Sequence, residues 1–341
     1  MEQEAAMLTG LHDIIDWETN SQALRNGYIY RDGFAFTSGS ASNIFDTLII
    51  RNPVTAQGGF GTWVYSERTL DDHIRLIHDY NVERAIIVAD NLQFLTRCPT
   101  LKHLTVYPST YAGPDFDYSP LYQMPNIESL QCYTEYGHPI PDFLPIHRTI
   151  LDYTQINGLS HLTVDCKQQG QLNYHLVDSL KELNVSHFKG DSLTQLFDST
   201  QLEVLKMVKC SVRSLDGIGQ SQNLRTLWLD YDRTLTDLSA LVEVQSTLRE
   251  LSIENCPQIT DFSCLAELTA LQSLSLYGSN TLPDLAFLRN LTNLKFFVFS
   301  MNVADGDLTP CLAIPYARCD KGKKHYNLKD KNLPKNLLPQ G

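Results

Sequence analysis

The stretch "LRELSIENC", residues 248–256, places aliphatic side chains at its first, fourth and sixth positions and a cysteine at its ninth. Set against its surroundings, the pattern recurs as "LEVLKMVKC" from 202, "LRTLWLDYD" from 224, "LQSLSLYGS" from 271 and "LKFFVFSMN" from 294, with starts 22, 24, 23 and 23 residues apart. Looser copies begin at Val82, Leu101, Ile127, Leu159 and Leu180, and a degenerate one at Ile314. The 32-residue spacing between the copies at 127 and 159 implies an insertion, and its "YGHPIPDFLP" has the composition of a loop. A fixed period of this length is the mark of a solenoid.

The physical reading follows from the spacing. Each copy supplies one short strand whose first, fourth and sixth residues point inward, while Leu238, Leu241, Phe262, Leu265, Leu285 and Leu288 close the coil behind it. One unit cannot bury its apolar face alone, so stacking of neighbours supplies the core. The ninth residue turns inward to meet loop backbone groups; Cys210, Asp232, Cys256, Ser279 and Asn302 hold that place. Cys210 and Cys256 therefore read as spine residues, and Cys132 and Cys319, at the sixth position, as core.

The motif resembles the leucine-rich-repeat family, L-x-x-L-x-L-x-x-N/C-x-L, over roughly residues 80–320. The intervening "LTDLSALVEVQST", "ITDFSCLAELTA" and "LPDLAFLRNLTN" resemble the bacterial internalin and SDS22-type subclass. The resemblance implies an α/β solenoid: a curved, right-handed coil with a parallel concave sheet and a mixed N-terminal cap. Residues 1–80 form the expected capping subdomain, 81–320 about ten or eleven rungs, and 321–341 a lysine-rich tail. Within the cap, "GYIYRDGFAFT" (27–37) alternates around Asp32-Gly33 as a hairpin, "NIFDTLIIRN" (43–52) reads as a strand, and "TLDDHIRLIHDY" (69–80) as a helix. The tail reads as a solvated extension, with docking onto an acidic body as the sharper alternative.

Net charge over the 341 residues is −12. The tail from Lys321 carries +5, so residues 1–320 carry −17. Such a balance disfavours nucleic acid, whose phosphates need a basic face. No run of 18 apolar residues occurs and the first residues are acidic, so a cytoplasmic chain with no membrane partner is expected. The eight cysteines form no C-x-x-C pair and read as reduced thiols.

Chemistry-bearing motifs are scarce. "LWLDYDRTLTD" (227–237) resembles the first motif of the haloacid dehalogenase phosphatases, in which Asp230 would be the nucleophile and Asp232 the general acid beside magnesium. The repeat runs through it unbroken, with Asp232 as the ninth residue, so the two carboxylates are expected to face apart. No metal, cofactor or catalytic residue is assigned, and the chain is not expected to be an enzyme.

Period-2 alternation puts the third, fifth and seventh residues of each rung on the exposed sheet face. Tyr107, Tyr133, Trp228, Tyr277, Phe296 and Tyr316 supply aromatics there, and Asp165, Glu182, Asp230, Glu250, Glu254 and Asp320 supply acids, against Lys206 and Arg318. Exposed aromatics bordered by charge are the usual composition of interface hot spots. The expected function is binding, through this acidic and aromatic face, of a protein with a basic surface. An inhibitor or immunity-type role is the specific version. A regulatory or scaffold subunit of the SDS22 type is the alternative, and a phosphatase at Asp230 the third reading. The sequence leaves the oligomeric state open and favours a monomer.

Overall fold

The rungs expected from the repeat are strands. The computed structural model describes residues 28–31, 33–37, 47–52, 68–109, 112, 116–132, 151–166, 177–194, 196 and 201–336. The backbone divides into two units: Met1–Thr163 with Gln168–Leu172, and Val164–Lys167 with Asn173–Gly341. The division falls within the repeats.

In the first unit β1 (Tyr28–Arg31) and β2 (Phe34–Thr37) form the antiparallel hairpin expected from the sequence. Its turn carries Gly33 at φ 79°, a left-handed value that costs glycine nothing. β2 pairs antiparallel with β3 (Thr47–Asn52). Pairing then turns parallel through β4 (Arg84–Ala89), β5 (His103–Pro108), β6 (Ser129–Cys132) and the first residues of β7 (His161–Asp165). The cap thus extends the rung sheet edgewise. Helix α1 (Leu70–Tyr80) starts at a capping box: Thr69 Oγ1 accepts from the Asp72 N–H at 3.2 Å, and Asp72 Oδ2 accepts from the Thr69 N–H at 2.9 Å. It ends at Asn81, at φ 51°, and buries Ile74 and Ile77 with His73.

In the second unit β8 (Glu182–Ser186), β9 (Val204–Val208), β10 (Thr226–Asp230), β11 (Glu250–Glu254) and β12 (Ser273–Tyr277) stack parallel and in register. β14 (Phe296–Phe299) and β16 (Tyr316–Cys319) continue the ladder, and the two-residue strands β13 (Thr281–Leu282) and β15 (Asn302–Val303) pair beside it. Leu205, Leu227, Leu251, Leu274 and Phe297 share one row, none more than 2% exposed. Each such side chain contributes about 1.5–3 kcal/mol on burial. The return segments are 3-10 turns, such as Ser239–Val244 and Ser263–Glu267, and the six apolar residues expected to close the coil are buried. The last four of these turns open with an aspartate accepting the N–H two residues on, as Asp237 does from Ser239 and Asp261 from Ser263, both at 2.8 Å, and as Asp284 and Asp307 do after them.

The eighth position of a rung must bend the chain inward. His187, Lys209, Tyr231 and Asn255 do so with φ of 54°, 52°, 57° and 53°. The ninth residue then works as expected at Cys210, Asp232 and Cys256, all buried. At the next rung it shifts by one. Gly278 stands at φ 139°, Ser279 is exposed, and buried Asn280 donates from Nδ2 to the carbonyls of Cys256 at 3.0 Å and Ile259 at 2.8 Å. The left-handed corner is broken by glycine, so one residue more is needed to turn inward.

The tail also departs from expectation. Residues 321–336 are not a solvated extension. The Tyr326 hydroxyl accepts from the Val303 N–H at 3.1 Å, and Asn327 Oδ1 accepts from the Leu308 N–H at 2.9 Å. The Ala317 N–H donates to the Pro334 carbonyl at 2.9 Å, and Lys335 Nζ to the Ala317 carbonyl at 2.6 Å. A last rung leaves open strand groups and an apolar end, and this segment satisfies them. Its lysine content concealed Tyr326 and Leu333, both buried.

Candidate functional site

Alternation assigns a side of the sheet, and packing decides what that side meets. In the first unit the face carrying Ala35, Ile49, Val88 and Tyr107 is buried. Tyr107, expected as an exposed anchor, is 8% exposed and lies against Val88 and Ile86. Arg51, on the same face, is 1% exposed and partnered. Tyr107 is therefore a core residue, corrected from the reading above. Tyr133 lies outside the described residues.

The second unit presents its face differently. Trp228, at the centre of β10, is 46% exposed. Val208 and Tyr231, 38% and 46% exposed, stand near it and were not singled out from the sequence. The parity of Val208 was visible, but Tyr231 follows the strand, where alternation no longer applies. Lys206, opposite Trp228 on β9, holds Nζ 5.0 Å from the indole ring centroid and 3.0 Å from Glu182 Oε1. Asp165 Oδ1 is 2.9 Å from His187 Nδ1.

Three acids differ from these. Asp230, Glu250 and Glu254 join no ion pair among the described residues. Glu250 is exposed, and Glu254 accepts from Ser252 Oγ at 3.3 Å. Burial raises the Asp230 pKa above the ordinary carboxylate value, against the opposing pull of an Asn255 hydrogen bond and Lys209. One Asp230 oxygen, Oδ1, has no hydrogen-bond partner. The fold holds this carboxylate at a cost.

Toward the last rungs the groups pair with one another. The Tyr277 hydroxyl donates to Asp320 Oδ2 at 3.0 Å, and Arg318 Nε lies 2.5 Å from Asp320 Oδ1. Burial, then that hydrogen bond, pushes the Tyr277 phenol up to about 12. Phe296 and Tyr316 pack with ring centroids 5.7 Å apart, and Lys335 Nζ sits 5.4 Å from the Tyr316 ring. An open cleft of about 480 Å³ lies beside Glu254, Tyr277, Ser300, Asp320 and Lys321. The sequence-derived set in this unit thus splits into a free sector around Trp228 and an internally satisfied sector around Asp320.

No protein-family model matches the chain, and no curated protein does. Among solved structures it is similar to an internalin, inlF, of Listeria monocytogenes, at 17% identity and TM-score 0.48, covering 80% of each chain. It is similar to internalin C2 of the same organism at 26% identity and TM-score 0.38, covering 47% of this chain and 67% of that one. It is also similar to the protein of a TLR13–ssRNA13 complex at 15% identity and TM-score 0.49, covering 81% of this chain and 43% of that one. The rungs themselves, with their period, register and inward leucines, define the architecture. The chain is a leucine-rich-repeat solenoid.

In this leucine-rich-repeat coil the phosphatase motif comes apart. Asp232 is 2% exposed, and its carboxylate accepts the N–H groups of Val212, Thr234 and Leu235 at 2.8–3.0 Å. It terminates a turn, while Asp230 stands on the outer face, so the pair cannot address one phosphate. The ninth-position thiols are equally occupied. Cys210 Sγ donates to the Val185 carbonyl at 3.5 Å and Cys256 Sγ to that of Leu229 at 3.8 Å, and burial pushes both up to about 12. A nucleophilic cysteine needs a lowered value. No group of three or more metal-ligating side chains occurs among the described residues, and no described helix is long and apolar enough to cross a membrane.

Proposed function

We propose that this chain is a non-catalytic protein-binding module of the cytoplasm, recognising a partner with a basic surface through the second unit's sheet face. An inhibitor or immunity-type role suits an acidic binder that carries no effector chemistry among its described residues. The observation that carries the reading is Trp228, 46% exposed and opposite Ser252, which stands between Glu250 and Glu254, two carboxylates that join no ion pair among the described residues. Burying an aromatic of this size and meeting those charges is the work of a partner, and such anchors are worth about 2 kcal/mol or more at interfaces.

The test is recovery of a partner by the wild type and by a Trp228→Ala, Glu254→Lys double variant at matched stability. The double variant should lose the partner. Wild-type binding should weaken several-fold as salt rises through the range in which surface charges are screened. Equal recovery by both proteins would remove the reading.

A further inference from the structure

The two flanks of Trp228 are unequal. On one, Lys206 lies over the indole with Glu182 behind it, at 5.0 Å and 3.0 Å. Cation, ring and carboxylate are stacked there by the chain itself. On the other flank the residue in register is Ser252, too small to cover the ring. Neighbouring strands lie about 4.8 Å apart, and residues two along a strand about 6.6 Å. Glu250 and Glu254 therefore flank Ser252, and Asp230 flanks Trp228, all within side-chain reach of the uncovered ring. Ser252 Oγ holds one Glu254 oxygen at 3.3 Å, which leaves the other for a ligand. The filled flank shows what the empty flank lacks, which is a cation.

We propose that this notch is a socket for one arginine side chain of the partner, its guanidinium stacked on Trp228 over Ser252 and forked onto Glu250 and Glu254. The proposal rests on the protein-binding reading above and adds which side chain is recognised, and by which groups. Arginine suits the site better than lysine. Its planar group stacks on an aromatic face and offers paired donors to carboxylates, whereas an ammonium is a compact, strongly hydrated point charge. A phosphate-bearing ligand would meet three carboxylates, and a second copy of this chain carries −12. Neither supplies the missing charge.

The chain has three tryptophans, Trp17, Trp63 and Trp228, so the indole N–H signal of Trp228 in the ¹⁵N-labelled full chain can be assigned from Trp228→Phe. The probes are acetyl-Gly-Arg-Gly-amide and its lysine and citrulline counterparts. The arginine peptide should move the Trp228 signal saturably, with the lysine peptide several-fold weaker and the citrulline peptide without effect. The shift should vanish in Ser252→Phe, which fills the notch, and in the Glu250→Gln, Glu254→Gln pair, which alters no packing. Equal shifts from arginine and citrulline, or an unchanged titration in Ser252→Phe, overturn the socket. With the intact partner the two proposals separate. Full binding by Ser252→Phe, with loss in Trp228→Ala, Glu254→Lys, overturns the socket and leaves the protein-binding face standing. Wild-type binding by both variants overturns both.

Discussion

Tyr107 and Trp228 each stand at an odd position of a parallel rung, one in each unit, and are 8% and 46% exposed. Both rungs alternate and both place an aromatic on the outer face. In the first unit the neighbouring positions are Val88 and Ile86, an apolar set that packs together. In the second they are Lys206, Ser252, Asp230 and Glu254, polar side chains that stay half-buried and do not cover the ring. Parity decides which way a side chain points. The company it finds decides whether that direction is inside or out.

The sharpest way to break this comparison is to truncate both aromatics. Tyr107→Ala should cost about 3 kcal/mol in urea unfolding, as large-to-small core changes do. Trp228→Ala should stay within about 0.5 kcal/mol of the wild type, as a surface change does. Similar losses at the two sites would mean that the faces do not differ.

A second contrast lies within one rung. Asp232→Ala strands the buried N–H groups of Val212 and Leu235, so about 2–3 kcal/mol should be lost. Asp230→Asn should be neutral or stabilising by up to about 0.5 kcal/mol, because the wild-type carboxylate is charged where burial disfavours it, while partner binding weakens. Thermal unfolding paired with partner titration reads both. A large stability loss in Asp230→Asn would make that carboxylate structural.

The smallest effect concerns acid. Hydrogen bonds from Ser239, Ser263 and Thr309 hold Asp237, Asp261 and Asp307 below the ordinary value of 3.8. Their contribution is complete above the unfolded value and is lost as pH falls through the lower folded values. Tm of the second unit should therefore decline below about pH 4. Replacing the three by asparagine, which keeps the turn acceptor, should flatten that decline; an unchanged slope would remove these turns from the acid response.

The rungs were legible because their determinants are local and repeated. Five copies with matching spacing specify strand, return and inward leucine without reference to anything distant. The helix at Leu70–Tyr80 was legible for the same reason, through its early aspartates and the spacing of Leu70, Ile74 and Ile77. The shift from Ser279 to Asn280 was not, because it turns on the φ of Gly278, which a repeat alignment does not contain.

What the amino-acid order settled alone is the period: where strands start, which residues face the core, and that Cys210 and Cys256 belong to the spine. Tertiary structure alone decided exposure and pairing. It buried Tyr107 and left Trp228 open, folded the lysine-rich tail onto the last rung through Tyr326 and Lys335, and satisfied Glu182 and Asp320 while leaving Glu250 and Glu254 without a cation. Periodicity is carried by near neighbours in sequence. Burial and the cross-rung contacts arise between residues 24 positions apart for Lys206 and Glu182 and 43 apart for Tyr277 and Asp320, and come into being only when the rungs stack.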